Sequence, residues 1–134
     1  MSNKLFKAGL LVAALVAGQA ALAQVAVVMA PGSPALSKDQ VANVYLGRSF
    51  DLKPIDQPES SAVRAQFYKK ATDRDLAQVK ATWSRIIFTG KGQPPKEVAD
   101  DAAVKKAVAA DPKAIGYIDK SAVDGSVKAV LILE

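Results

Sequence analysis

The sequence predicts an α/β domain: a small three-layer unit with helices packed on both faces of a mixed sheet. Three observations predict it. After residue 23 the chain reads strand, helix, extended segment, helix, helix, helix, strand, strand, as short apolar runs give way to stretches of helical period. The first and last runs, "VAVVM" and "SVKAVLIL", are apolar with little alternation, as strands covered on both faces are. The chain left after residue 23 suits one modest core, not two.

The elements follow in order. Val25–Met29 is a β-branched apolar run, and "APGSP" breaks it with Pro31, Gly32 and Pro34. A helix opens at Ser37, where Gln40 completes a capping box and Leu36 and Val41 form a hydrophobic staple. Val41, Val44 and Tyr45 face inward, and Gly47 ends the helix. In "SFDLKPID", Phe50, Leu52 and Ile55 are expected to face inward, while Pro54 restricts the segment to an edge strand or an extended loop. The next helix, after "QPESS", buries Val63, Phe67 and Tyr68. The one after it places Leu76, Val79, Trp83 and either Ile86 or Ile87 on one stripe, so Trp83 reads as core.

"TGKGQPPKEV" reads as a connection. Lys91 sits between Gly90 and Gly92, but the lysine–serine/threonine ending of a phosphate-binding loop is missing. A helix capped by Asp100 or Asp101 buries Val104 and Val108 and stops at Pro112. "AIGYI" and "SVKAVLIL" are the last strands, the second apolar enough to pair centrally despite its place near the chain end.

Residues 1–23 read as an export signal. Lys4 and Lys7 precede the apolar "AGLLVAALVAG", and "ALA" at 21–23 offers small residues for cleavage before Gln24. The apolar part, about ten residues, is far short of the roughly 20 that span a bilayer. The expected mature protein is Gln24–Glu134, located in the periplasm and not inserted in the membrane.

The chain contains neither cysteine nor histidine. That excludes disulfides, thiolate nucleophiles, histidine triads and soft-metal or haem ligation, so no cofactor and no metal is expected and catalysis is disfavoured. Asp100, Asp101 and Asp111 are accounted for by helix capping and termination. Without Lys4 and Lys7 the net charge of +5 falls to +3, mild and interspersed. Lys69–Lys70 and Lys105–Lys106 adjoin apolar helix positions, as solvated faces do, so nucleic acid is not an expected partner.

The stretch that carries functional information is "DQPESSAVRAQF", residues 56–67. Ser60 or Ser61 can cap the helix, with Arg64 one turn later as an ordinary surface residue. The same atoms can instead hold an anion: free amides at the helix start, serine hydroxyls and a guanidinium. Ser33 joins them if its strand lies beside the extended segment. Glu59 repels a fully ionised anion but can accept a hydrogen bond from a protonated one such as hydrogen phosphate.

Four blocks, "LSKDQVANVYLGRSF", "DQPESSAVRAQFY", "WSRIIFTGKGQPP" and "AIGYIDKSAVDGSVKAV", cover most of the chain after residue 23. In that order they resemble the phosphate-type periplasmic substrate-binding proteins, and more closely short exported relatives described as phosphate transporter substrate-binding-like. The resemblance implies a fold like one lobe of a type II periplasmic binding protein. In the larger members, residues 57–64 align with an arginine-x-aspartate-glycine-serine-glycine-threonine type stretch that supplies anion-coordinating groups. Gln57 stands at its arginine, Glu59 at its aspartate, Ser60 at its glycine and Ser61 at its serine, with Arg64 just beyond. The larger members also have a second lobe that closes over the ligand, for which this chain is too short.

Two functions are therefore expected. The first is non-catalytic binding of phosphate or a similar small oxyanion through Ser33, Glu59, Ser60, Ser61 and Arg64, assisting uptake or sensing, with a membrane transporter or sensor as protein partner. The alternative is a ligand-free interaction module of the cell envelope that keeps the fold.

Overall fold

In the computed structural model, which describes residues 24–134, the apolar run Val25–Met29 forms β1 with every residue buried. The expected export signal, residues 1–23, lies outside the described residues. Helix α1 (Lys38–Tyr45) starts at the Ser37 capping box, whose two reciprocal bonds to Gln40 measure 3.1 and 2.8 Å. It ends where Gly47 takes φ 73°, a conformation that side chains other than glycine resist. Strand β2 (Lys53–Asp56) leads into α2 (Ala62–Thr72), and α3 (Leu76–Phe88) follows after a left-handed turn at Asp73. The chain then runs through the two-residue β3 (Lys96–Glu97), α4 (Asp101–Ala110), β4 (Ala114–Asp119) and a 3-10 turn to β5 (Lys128–Leu133).

The strands form one mixed sheet in the order β3-β2-β4-β1-β5. β2 runs parallel to β3 and β4, and β1 is antiparallel to β4 and β5. Ala114 to Ile118 of β4, the middle strand, are all buried, because helices cover both faces. Gly116 faces α4, where an added Cβ would stand 2.4 Å from Val104 Cγ1. Tyr117, the next residue, points the other way and stacks on Phe67 of α2 at 4.1 Å and 4°. Tyr45 meets Phe67 edge-on at 4.6 Å and completes an aromatic centre with Tyr68. Outside it, α3 is anchored by buried Val79 and by Trp83, whose indole N–H donates to Tyr45 O at 2.8 Å.

Three expectations are corrected. β2 is flanked on both sides, although Pro54 argued for an edge. Lys53 N donates toward β4 (to Lys113 O), so the position of the missing Pro54 N–H faces the β3 side, and β3 pairs only with Ile55 and Asp56. β5, expected to pair centrally, is an edge strand, pairing with β1 alone among the sheet strands. Phe50, expected inward, is 58% exposed, since β2 begins only at Lys53 and the preceding turn carries no strand alternation.

Candidate functional site

The carboxyl ends of β2, β3 and β4 share one edge of the sheet, and the chain leaves β2 there to start α2. Asp56 and Gln57 close the strand and are both 3% exposed, the two buried polar residues of the described core. Burying a carboxylate is costly unless it is paired and hydrogen-bonded. Asp56 meets both conditions. Its Oδ2 accepts from Tyr68 Oη at 2.6 Å, while its Oδ1 accepts from Tyr117 Oη and from the Gln57 amide at 2.9 Å. Arg64 Nε lies 3.8 Å from the same oxygen.

Arg64 therefore points into the molecule. Its Nη1 donates to Gln57 O at 2.7 Å and to Glu97 Oε2 at 3.4 Å, and its guanidinium lies 5.8 Å from the centre of the Tyr68 ring. Burial alone would lower the Arg64 pKa, but Asp56, the two phenols and Glu97 outweigh it and hold the guanidinium above its ordinary value. Burial, reinforced by the Asp56 charge, pushes the hydroxyls of Tyr45, Tyr68 and Tyr117 above the usual tyrosine range. Arg64 thus pairs with buried Asp56 and with exposed Glu97, and neutral phenols lie around Asp56.

Gln57 links this interior to the surface. Its Nε2 donates to Asp101 Oδ1 at 2.8 Å and to Tyr117 O at 3.0 Å, and its Oε1 accepts from Ser61 Oγ at 3.0 Å. Ser61 is the N-cap of α2 but makes no side-chain cap bond, unlike Ser37, Asp75 and Asp100 at the other helices. Among the described residues no side chain accepts from the Ala62 or Val63 amides. Ala62 and Val63 line a shallow cleft of about 440 Å³ between the starts of α2 and α4, together with Gln57, Ser61, Asp100 and Asp101. The carboxylates are partly occupied: Asp100 Oδ1 accepts from Ala103 N, and Asp101 Oδ2 from Asp119 N at 3.2 Å.

The five sequence-derived candidates do not form one constellation. Ser61 lines the α2–α4 cleft. Glu59 and Arg64 line a separate groove of about 270 Å³ against α3, with Trp83 and Pro95 among its walls. Ser60 is exposed in the turn before α2. Ser33 does not reach them: it follows the carboxyl end of β1, which is antiparallel to β4, so it lies at the opposite edge of the sheet, with β4 between β1 and β2. There its hydroxyl donates to Ala30 O at 2.7 Å. Arg64, read as a surface residue or an anion ligand, is an interior partner of Asp56. The signal for that was present, since Arg64 precedes the inward pair Phe67 and Tyr68 by three and four residues and shares their face. Sequence reasoning missed Asp56, Gln57, Tyr68, Tyr117 and Asp101 as one network, because they come from four segments that only the sheet order brings together.

No family model matches the chain, and no curated protein does. Solved structures match it. An ABC-type phosphate transport receptor from Vibrio cholerae shares 21% identity at a TM-score of 0.62, over 80% of this chain and 45% of that one. A substrate-binding protein assigned to a phosphate ABC transporter of Clostridium perfringens, with bound phosphate, gives 19%, 0.64, 80% and 44%. PstS from Borrelia burgdorferi gives 13%, 0.58, 84% and 47%. The chain spans under half the length of these structures. At such identities the likeness shows the fold: a small α/β unit matching one lobe of the periplasmic-binding-protein type.

Proposed function

We propose that this domain is a non-catalytic periplasmic half-site for phosphate or a similar small oxyanion, held at the start of α2 and assisting uptake or sensing. The observation that carries the reading is the first turn of α2, which no side chain caps and whose residues Ser61, Ala62 and Val63 line the cleft. The cleft lies outside the carboxyl ends of parallel strands, where open α/β sheets bind ligands. Two of the matched solved proteins are described as phosphate-transport components, which supports the choice of anion.

Binding by this lobe alone is weak. Arg64 is committed to Asp56, and Asp100 and Asp101 bring negative charge to the rim. A protonated oxyanion, able to donate to one of those carboxylates, fits better than a fully ionised one. A partner that covers the cleft would strengthen the site by excluding water.

The test is thermal unfolding of Gln24–Glu134 with phosphate, sulfate and chloride at matched ionic strength. At ten times the dissociation constant mass action adds about 1.4 kcal/mol, a shift of several degrees. A phosphate-selective rise that is reduced in Ser61→Ala is expected. An unchanged midpoint up to ~10 mM phosphate would exclude useful affinity. It would favour the second reading, an envelope interaction module, for which the inward Arg64 and the two rim aspartates are the supporting observations.

A further inference from the structure

Of the exposed large apolar residues of the described chain, Ile87 and Phe88 are consecutive at the end of α3, and Phe50 lies over Gly92, which follows shortly after. α3 ends in "IIF", and the chain folds back over that end: Gly90 N donates to Ile87 O, and Lys91 N to Ile86 O. Gly90 makes the reversal with φ 71°. The Phe50 ring then lies over Gly92 and beside Ile86, so close that a Cβ at Gly92 would stand 2.6 Å from Phe50 Cε1. Phe88 projects from this end with 92% of its surface in water. Exposed apolar side chains scattered singly need no explanation, whereas a cluster marks a surface that something covers.

Charge identifies the cover. Residues 76–96 carry Lys80, Arg85, Lys91 and Lys96 and no aspartate or glutamate. The rest of residues 24–134 holds 12 basic and 13 acidic side chains, so this stretch supplies the whole positive excess. All four cations are exposed, and none forms an ion pair among the described residues. The nearby carboxylates are Asp51 beside Phe50 in sequence and, at the α2–α3 groove that Ile87 also lines, Glu59 and Glu97.

We propose that the α3 end is a peripheral membrane-binding tip, in which Phe88 and Ile87 enter the interface of an anionic lipid surface while Arg85 and Lys91 meet its headgroups. An exposed aromatic flanked by snorkelling cations is the chemistry of such interfaces. A second copy of the chain is disfavoured, because a two-fold contact centred on Phe88 would set these cations against their own images. Phe88 also lacks the surrounding walls that shield an aromatic anchor in a protein interface. Among the described residues no helix is long and apolar enough to cross a membrane, so the association is at the surface. The proposal uses none of the residues of the α2–α4 cleft and stands apart from the oxyanion reading.

The experiment is co-sedimentation of Gln24–Glu134 with vesicles of phosphatidylethanolamine and phosphatidylglycerol, and with vesicles of phosphatidylcholine alone. This segment holds every described element and core residue, and its cooperative unfolding is verified first. Residues 1–23 are omitted because their own apolar run and lysines would bind the same vesicles. The wild-type segment should sediment with the anionic vesicles only and be released by salt. Phe88→Ser should abolish most of the binding, and Arg85→Ala and Lys91→Ala should each weaken partitioning about fivefold. At such exposed positions these variants keep the fold, which thermal unfolding checks. The proposal is overturned if the wild type stays in the supernatant, binds neutral vesicles equally well, or binds undiminished with Phe88→Ser. A Phe88-dependent dimer in lipid-free sedimentation velocity would overturn it too, assigning the tip to a second copy.

Discussion

Truncating Arg64 to alanine leaves the Asp56 carboxylate buried with two phenols and an amide but no cation. Breaking one side of a buried ion pair typically costs about 3–5 kcal/mol, and here a buried Asp56 side chain (5% exposed) faces a part-buried Arg64 (12%). Arg64→Ala should therefore lower the unfolding free energy by about that amount in urea titrations, with or without phosphate. Tyr68→Phe removes one hydrogen bond to a charged oxygen and should cost about 1.5–3 kcal/mol. A surface Arg64 would give less than 1 kcal/mol on truncation, so the same titration separates the two roles. The residue identities alone allowed both readings. Helical phase favoured the interior, but a lone arginine beside an apolar stripe carries that signal only once a buried carboxylate is known to await it.

At the scale of elements, the helix starts make different predictions. Asp75 caps α3 through a reciprocal box with Gln78, so Asp75→Ala should cost about 1 kcal/mol by chemical denaturation. Ser61 caps nothing in α2, but its hydroxyl donates to buried Gln57 Oε1 at 3.0 Å, so Ser61→Ala should cost about 1 kcal/mol through that bond, a loss that should vanish in a Gln57→Leu background. A loss that persists in that background would mean that Ser61 satisfies the α2 amides and that the cleft has no donors to offer. The capping boxes were legible in the sequence because they are local: a serine or aspartate, then glutamine three residues on. The place of each strand was not. "SVKAVLIL" looks central by composition, yet it lies at an edge, where burial of Val130 and Leu133 in the core and not a second strand neighbour keeps it apolar. Pro54 looks like an edge marker, and the two-residue length of β3, which no periodicity announces, is what permits it beside a third strand. The distance between Ser33 and the α2 start depended on that same strand order, which explains why one candidate of the five was lost to the opposite edge.

For the molecule as a whole, the three tyrosines of the chain are all buried around Asp56 or next to it. Burial first and the Asp56 charge second raise their folded pKa values above the ordinary 10.0. Above pH 10 the unfolded chain loses phenolic protons that the folded chain keeps, so stability is intact below that pH and falls as pH rises beyond it. Phenolate absorbance should accordingly stay flat through pH 10 and then appear together with loss of structure. A gradual rise centred near 10 while the fold persists would mean that the tyrosines are not enclosed. This domain has the fold of a single lobe whose interior pairs Arg64 with Asp56, and the proposed oxyanion donors are the uncapped amides at the start of α2. The most direct measurement of that claim is a phosphate titration of Gln24–Glu134 followed through backbone amide resonances. Saturating, phosphate-selective shifts concentrated at Ser61, Ala62 and Val63 are expected, with the Arg64 side-chain resonances unmoved. Shifts absent from that turn, or centred instead on Arg64 or on the Ser33 loop, would contradict it.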